Sequence, residues 1–293
     1  MSDEQGYIIL MKAILADGED RAARNGKTKA VFGEKLVFDL TNGFPLLTTK
    51  RVFWRGVAEE LFWFLRGSTN AKELSEKGVN IWNDNTSREF LDSVGLHHIE
   101  EGHLGAGYGH CWKAFNGDYP SGKNGVDQIR YVLEQLITNP QGRRAVLSAW
   151  NPSQLSMAAL APCHFVYEFY ISETRGLSCM MVMRSCDVAA GLPFNIASTA
   201  LLTTLIAKLL YIPTDKIVVI TGDTHLYEEH IEGALIQIER EPKPKPTLEI
   251  VREAPPKDAS LDKKVKWLET LQFEDVKITG YECHPAIKFR MIA

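Results

Sequence analysis

The chain has 293 residues, of which 45% are hydrophobic and 24% charged, and a formal net charge of −4. That balance supports a sizeable globular core, and the mild acidity argues against a dedicated nucleic-acid binder, which would carry a strongly basic face. The five cysteines, at 111, 163, 179, 186 and 283, are scattered without CxxC pairing, so neither a disulfide framework nor a zinc site is expected.

In chain order, Tyr7, Ile8, Met11, Ile14 and Leu15 fall at helical spacing and predict a first helix over 5–18. The basic, Gly-containing stretch 21–29 reads as a loop before an alternating strand, Val31 to Leu40. Val52 to Leu65 is apolar and aromatic and reads as a buried helix ending at Gly67. Residues 83–125, rich in Gly, Asn, Asp and Ser, predict irregular structure with short elements. A helix follows from about Asp127 to Thr138, stopped by Asn139-Pro140.

Beyond that point the pattern turns to strands: Ala145–Trp150, Phe165–Ile171 and Leu177–Arg184. Phe194 to Tyr211 is apolar nearly all round and reads as a buried helix. Lys216–Thr221 reads as a β-branched strand and the region of Leu226–Ala234 as a helix. Residues 240–265, with five prolines between 242 and 256, read as a surface excursion, and Val276 to Ala293 as strand and turn. The expectation is one α/β (α+β) domain spanning 1–293, with a large mixed or antiparallel twisted sheet packed with helices. The polar N-terminal residues hold no signal-type apolar segment, and no uninterrupted apolar run is long enough to span a bilayer. A reducing compartment, cytoplasm or nucleus, suits unpaired thiols.

Several residues stand out chemically. Cys163 follows Pro162, which restrains the backbone, and precedes His164, whose imidazole could help a thiolate form. The alternative is a packed structural thiol. Arg184 and Ser185 together could grip a phosphate. Asn195, just inside an apolar helix, is either an N-cap or an amide that reads a base edge with both a donor and an acceptor. Arg143-Arg144 is either a solvated surface pair or an anion clamp. Glu60, among Leu61, Phe62 and Trp63, is either ion-paired or a tuned acid. Trp82, Trp112 and Tyr108 read first as core aromatics. Gly26-Lys27-Thr28 imitates the end of a phosphate loop, but Arg21 stands where its first glycine would be, and His225 with His230 lacks the HExxH arrangement of a metal site.

Taken as a series, the segments resemble the thymidylate synthase family from about residue 5 to the last. The matching blocks are Phe44–Arg51, Glu60–Phe64 through Asn70, Ile81-Trp82, Arg143-Arg144, Ala149–Pro152, Pro162–His164, Arg184-Ser185 with Asp187, Gly191–Ser198, Gly222-Asp223 with His225–Tyr227, Arg240–Pro242 and His284-Pro285. The resemblance implies reductive methylation of dUMP to dTMP, with methylene-tetrahydrofolate as donor and no metal. Cys163 would attack carbon 6 of the uracil. Arg184, Ser185 and Arg24 would hold the phosphate, joined by Arg143 and Arg144 from the other subunit of a homodimer. Asn195 would meet the uracil edge, and His225 and Tyr227 the sugar hydroxyl. Glu60 would anchor water near the 4-carbonyl, Tyr108 would assist proton removal from carbon 5, and His164 would support the nucleophile. Ile81, Trp82, Asp187, Gly191 and Phe194 would hold the folate, and Ala293 would close over both ligands.

The chain departs from the common pattern at Cys111, Lys113, Glu168, Met183, Ala189, Ala190 and Thr199. Its N-terminal loop is one residue short, so Arg21 competes with Arg24 for the phosphate. These departures leave two alternatives: a nucleotide 5-hydroxymethylase of the same superfamily, and a nucleotide- or RNA-binding relative with impaired catalysis. Asn195 favours uracil, and Trp82 with a full C-terminal tail favours the reductive route.

Overall fold

The computed structural model describes residues 3–23 and 25–292. Arg24 and Ala293 therefore lie outside the described residues.

Helix α1 (Asp3–Asp17) buries Tyr7, Ile8, Leu10, Met11 and Ile14. The stretch expected to be a loop, 21–29, is instead a hairpin. Strand β1 (Glu19–Ala23) pairs antiparallel with β2 (Gly26–Asp39). Its polar, exposed side chains carry no hydrophobic period, so only main-chain pairing reveals it. Helix α2 (Trp54–Leu65) is buried along nearly its whole length. It stops at Gly67, whose φ of +75° and close approach to Lys113 leave no room for a Cβ.

Short helices follow: α3 (Lys72–Ser75), α4 (Asn83–Thr86), α5 (Arg88–Ser93) and α6 (Tyr108–Ala114). Helix α7 (Gln128–Thr138) is capped by the Asp127 carboxylate, which accepts the Arg130 N–H at 3.0 Å. Strands β3 (Val146–Ser148), β4 (His164–Ser172) and β5 (Gly176–Asp187) come next. Helix α8 (Leu192–Leu210) is long and apolar enough to cross a membrane by length and composition, yet it is mostly buried in the protein core.

Strand β6 (Thr214–Tyr227) runs six residues beyond the expected Thr221. It absorbs Leu226 and Tyr227, and the helix expected there begins only at α9 (Ile231–Gln237), after a 3₁₀ turn at Glu228–His230. The excursion 240–265 also holds structure, in β7 (Thr247–Ile250) and the first turn of α10 (Leu261–Glu269). Strand β8 (Val276–Thr279) pairs with β7.

The main sheet has the order β1-β2-β6-β5-β4-β3 and is mixed, because β5 and β6 run parallel while the other neighbours are antiparallel. Helix α8 connects the parallel pair, as a parallel crossover requires. Residues alternate across the sheet. Leu36, Phe38, Leu147, Tyr167, Phe169, Cys179, Met181, Ile217 and Val219 are buried on the helix-covered side. The opposite side carries Val166, Met180, Val182, Val218 and Ile220, all half-buried, with Val37 and Tyr170 exposed at 42% and 58%.

Candidate active site

Cys163 stands immediately before β4. Arg184, on β5, donates its backbone N–H to the Cys163 carbonyl at 2.9 Å. Its Nε donates to Pro162 O at 2.9 Å and its Nη2 to Ala161 O at 2.7 Å, which leaves Nη2 4.0 Å from the Cys163 Sγ. Two carbonyls of one short loop thus seat the guanidinium beside the thiol, and a third holds the Arg184 backbone. Burial pushes the thiol above its ordinary range, and the opposing pull of Arg184 and Tyr108 does not cancel it. In the ligand-free protein desolvation of this thiol outweighs one exposed guanidinium.

The Tyr108 Oη accepts the Cys163 N–H at 2.6 Å. Burial holds this phenol neutral, well above its usual range. The His164 ring stacks on Tyr108, with centroids 4.2 Å apart and planes 18° apart, and its Nδ1 lies 2.8 Å from the Tyr167 Oη. Burial lowers His164 to about 3. The expectation that the neighbouring imidazole promotes the thiolate does not fit this geometry, since a neutral ring engaged by Tyr167 supplies no charge to the sulfur. His164 instead backs the Tyr108 ring.

Glu60, on α2, accepts the Trp82 indole N–H at 2.8 Å and has no cationic partner among the described residues. Burial raises its carboxyl to about 7, the Trp82 hydrogen bond opposing. Of the two readings of Glu60, the tuned acid is the one the geometry matches.

Asp187 ends β5. Its Oδ1 accepts the N–H groups of Ala189 and Ala190 at 3.0 and 3.1 Å, turning the chain into α8. Gly191, and not Asn195, is the N-cap of that helix. Asn195 lies one turn further in, half-buried, with its carboxamide making no hydrogen bond among the described residues. The cap reading of Asn195 is thereby excluded, and the amide is left available for a ligand.

The parallel register sets Ser185 beside Asp223 and Asp187 beside His225. Asp223 Oδ1 lies 2.8 Å from His225 Nδ1, while Asp223 Oδ2 accepts from Arg21 Nη1 at 2.5 Å. Arg21 is thus committed to Asp223. The His225 ring meets Tyr227 edge-on, with centroids 5.0 Å apart. These residues gather at the carboxyl ends of the two parallel strands, where open sheets bind ligands.

Arg143 and Arg144 lie elsewhere. They are exposed on the loop between α7 and β3, with no side-chain partner among the described residues. The Ala145 carbonyl accepts from Phe169, five residues along β4 from His164, or roughly 17 Å of strand. One chain therefore does not bring this pair to Arg184.

Ile81, Trp82 and Phe194 are half-buried and packed against the core. A Cβ on Gly56 would come within 3.2 Å of the Phe194 ring and 2.6 Å of Phe53, so this glycine lets two aromatic rings converge. The departures at Ala189 and Ala190 do not open the structure there: both are buried, and the Lys50 ammonium donates to the Ala189 carbonyl at 2.7 Å. Lys113 is held by Asp127 and by Glu269, the latter at 2.9 Å. Thr199 Oγ1 donates to the Asn195 carbonyl at 2.7 Å, Met183 and Cys111 are buried, and Glu168 is half-buried on the open sheet face.

Sequence reasoning did not find Lys50, Tyr7, Tyr167 or His230. Tyr7 donates to the Val188 carbonyl at 2.9 Å, and His230 lies 3.6 Å from Asp187. No spacing signals these contacts, which join residues far apart in the chain. No group of three or more His, Cys, Asp or Glu side chains among the described residues is arranged to hold a metal.

The chain thus carries a thiol 4.0 Å from a guanidinium, a half-buried amide with no side-chain partner among the described residues, and a buried carboxyl raised to about 7. The family model "Thymidylate synthase" matches residues 5–293. The chain is 45% identical to a human thymidylate synthase, covering 98% of this chain and 90% of that protein. It is 43% identical to the thymidylate synthase of Candida albicans, covering 98% and 97%. It is also 43% identical to a bifunctional dihydrofolate reductase-thymidylate synthase of Paramecium tetraurelia, spanning 61% of that longer protein. The chain belongs to the thymidylate synthase family.

Proposed function

We propose that Cys163 is the nucleophile of this family's reaction, the methylation of dUMP to dTMP with methylenetetrahydrofolate, and that the whole chain works as one catalytic domain. The observation that carries the assignment is the thiol of Cys163 lying 4.0 Å from Arg184 Nη2 while its backbone N–H binds Tyr108.

The Cys163 sulfur adds to carbon 6 of the uracil, and negative charge develops toward carbon 5 and the 4-carbonyl. Arg184 and Ser185 hold the phosphate, with Arg24 a further candidate. The Arg184 guanidinium beside the sulfur favours the thiolate, and the thiol proton passes to water as the carbon–sulfur bond forms. Asn195 presents its free amide to the uracil edge. His225 and Tyr227 meet the sugar hydroxyl. Glu60, raised to about 7 and so about half protonated near pH 7, donates through water to the developing enolate. Tyr108 relays the proton leaving carbon 5: its oxygen takes that proton as its own hydroxyl proton passes to water, so the buried phenol never has to ionise. When bound, methylenetetrahydrofolate supplies the one-carbon unit and the hydride. Ile81, Trp82, Phe194, Gly191 and Asp187 would hold it, and the C-terminal residues through Ala293 would exclude water during hydride transfer.

The open sheet face supports a homodimer. Its half-buried Val166, Met180, Val182, Val218 and Ile220 lie side by side across three strands as an apolar surface, the kind of face that marks a protein–protein contact. Arg184 lies in the same alternation on β5, so a second copy on this face could bring its Arg143 and Arg144 to the phosphate. Five free cysteines suit the reducing cytoplasm.

The test is incubation with dUMP and methylenetetrahydrofolate, with products identified by mass. The proposal expects dTMP and dihydrofolate in equal amounts and a covalent complex at Cys163 with 5-fluoro-dUMP and folate. A hydroxymethyl product, or no covalent complex, would count against it.

A further inference from the structure

Residues 287–290 near the C-terminus cross α9 at Gly233 and reach His230. A Cβ on Gly233 would lie 2.6 Å from the Phe289 ring and 2.9 Å from Ile287 Cγ2, so the strap lies directly on the helix. The Phe289 ring meets the His230 ring edge-on at 5.2 Å. His230 Nε2 lies 2.8 Å from the Arg290 carbonyl oxygen. On its other side, Nδ1 is buried, has no hydrogen-bond partner, and faces Asp187 Oδ1 at 3.6 Å.

Both ring nitrogens of His230 thus face oxygen atoms that only accept. A neutral imidazole has one N–H and one lone pair. The tautomer that donates to Arg290 turns its lone pair on the Asp187 carboxylate. The other tautomer turns its lone pair on the Arg290 carbonyl. The imidazolium alone donates in both directions.

We propose that His230 is the latch of the C-terminal strap: it fastens residues 287–292 as the imidazolium, joins them to Asp187, and makes seating of the strap take up a proton. The groups around the ring agree. Asp187 approaches from the end of β5, Glu229 from the same 3₁₀ turn, and Tyr227 from β6 with its ring centroid 5.6 Å away. From the loop after β2, the Lys50 ammonium stands on Phe289, 4.7 Å from the ring centroid, and is occupied by the Ala189 carbonyl. Tyr7 of α1 is occupied by the Val188 carbonyl, and the Arg290 side chain is exposed. Burial lowers the basicity of His230, but Asp187 and the Arg290 carbonyl outweigh it and leave it above the ordinary histidine value.

The folded, strapped state then binds the proton more tightly than the unstrapped one. Its stabilisation is complete at low pH and fades as pH rises through the strapped value, by a factor of about ten in seating for each unit of difference. The consequence for catalysis rests on the assignment of Asp187 to the folate side. The latch itself does not, so its test uses no ligand.

Amide hydrogen exchange of residues 287–292 in the whole protein, corrected for intrinsic rate, reads seating directly. Protection is expected to fall about tenfold between pH 6 and 8.5 in the native protein and to be flat in His230→Gln. Flat protection in the native protein, or an equal fall in both, overturns the latch. A second measurement leaves His230 in place: Gly233→Ala pushes the strap off α9, and the NMR titration of the His230 ring is then expected to move down. An unmoved titration overturns the proposal whatever dUMP turnover shows.

Discussion

The Tyr108 hydroxyl oxygen accepts the backbone N–H of Cys163 at 2.6 Å, so the proposed proton acceptor and the proposed nucleophile are fixed to each other before any ligand arrives. Tyr108→Phe removes that acceptor and leaves a part-buried N–H unpaired, at about 1–3 kcal/mol of stability. We expect kcat to fall by about 10²–10⁴, the range of a general acid or base, with KM for dUMP changed far less. Steady-state kinetics at saturating folate checks this, and a raised KM with kcat kept would make Tyr108 a binding group only.

Cys163→Ser is expected to abolish turnover while leaving dUMP affinity within a few-fold, read by calorimetry. The thiol itself reports its surroundings. Because burial raises it and Arg184 opposes that rise, alkylation of ligand-free protein should keep accelerating past the pH at which an ordinary thiol levels off. Arg184→Ala should displace that profile further upward. A downward displacement would show that the guanidinium does not act on the sulfur.

Glu60 is raised to about 7 by burial. An acid raised on folding is neutral in the folded protein at pH values where the unfolded chain is already ionised. Folded stability is therefore full below about 4.5, declines as pH rises, and levels off above about 7. Glu60→Gln keeps a carbonyl for the Trp82 N–H and removes this decline. Urea unfolding should show the variant gaining on the native protein between pH 5 and 8, by a difference on the order of 3 kcal/mol at most, while its turnover drops. A constant difference across that range would mean that Glu60 is not held neutral.

Asp223 bridges Arg21 at 2.5 Å and His225 at 2.8 Å. A carboxylate on Nδ1 fixes the tautomer and leaves Nε2 for the sugar hydroxyl. Asp223→Asn is expected to raise KM for dUMP roughly 10- to 150-fold, the 1.5–3 kcal/mol of a charged hydrogen bond, with kcat nearly kept. The penalty for a substrate lacking the 3′-hydroxyl should shrink in parallel. If that penalty is unchanged, His225 is oriented by something else.

Much of the architecture is legible in the sequence because it follows from local periodicity. Helices α1, α2, α7 and α8 and strands β3, β4 and β5 appear close to where apolar spacing puts them. The misreadings have one physical source. The β1–β2 hairpin is polar and exposed, and the last residues of β6 are paired by Ser185, Asp187 and the β2 strand. In both, main-chain hydrogen bonds to a distant strand decide the structure, and side-chain pattern carries no trace of them.

The same division runs through the site. The residue types at 60, 108, 163, 184, 195 and 225, in their order, belong to the series that resembles the family the comparison shows, and the roles proposed for them rest on that likeness. Their ionisation was not readable. The sequence could not say that Glu60 has no cationic partner among the described residues, that His164 turns to Tyr167, or that Arg21 is taken by Asp223. Proton affinities are set by desolvation and by charges within a few ångströms, and those neighbours are tens to hundreds of residues away along the chain. Identity resided in the sequence; the state of each acid and base was decided only when the sheet, α2 and α8 closed around them.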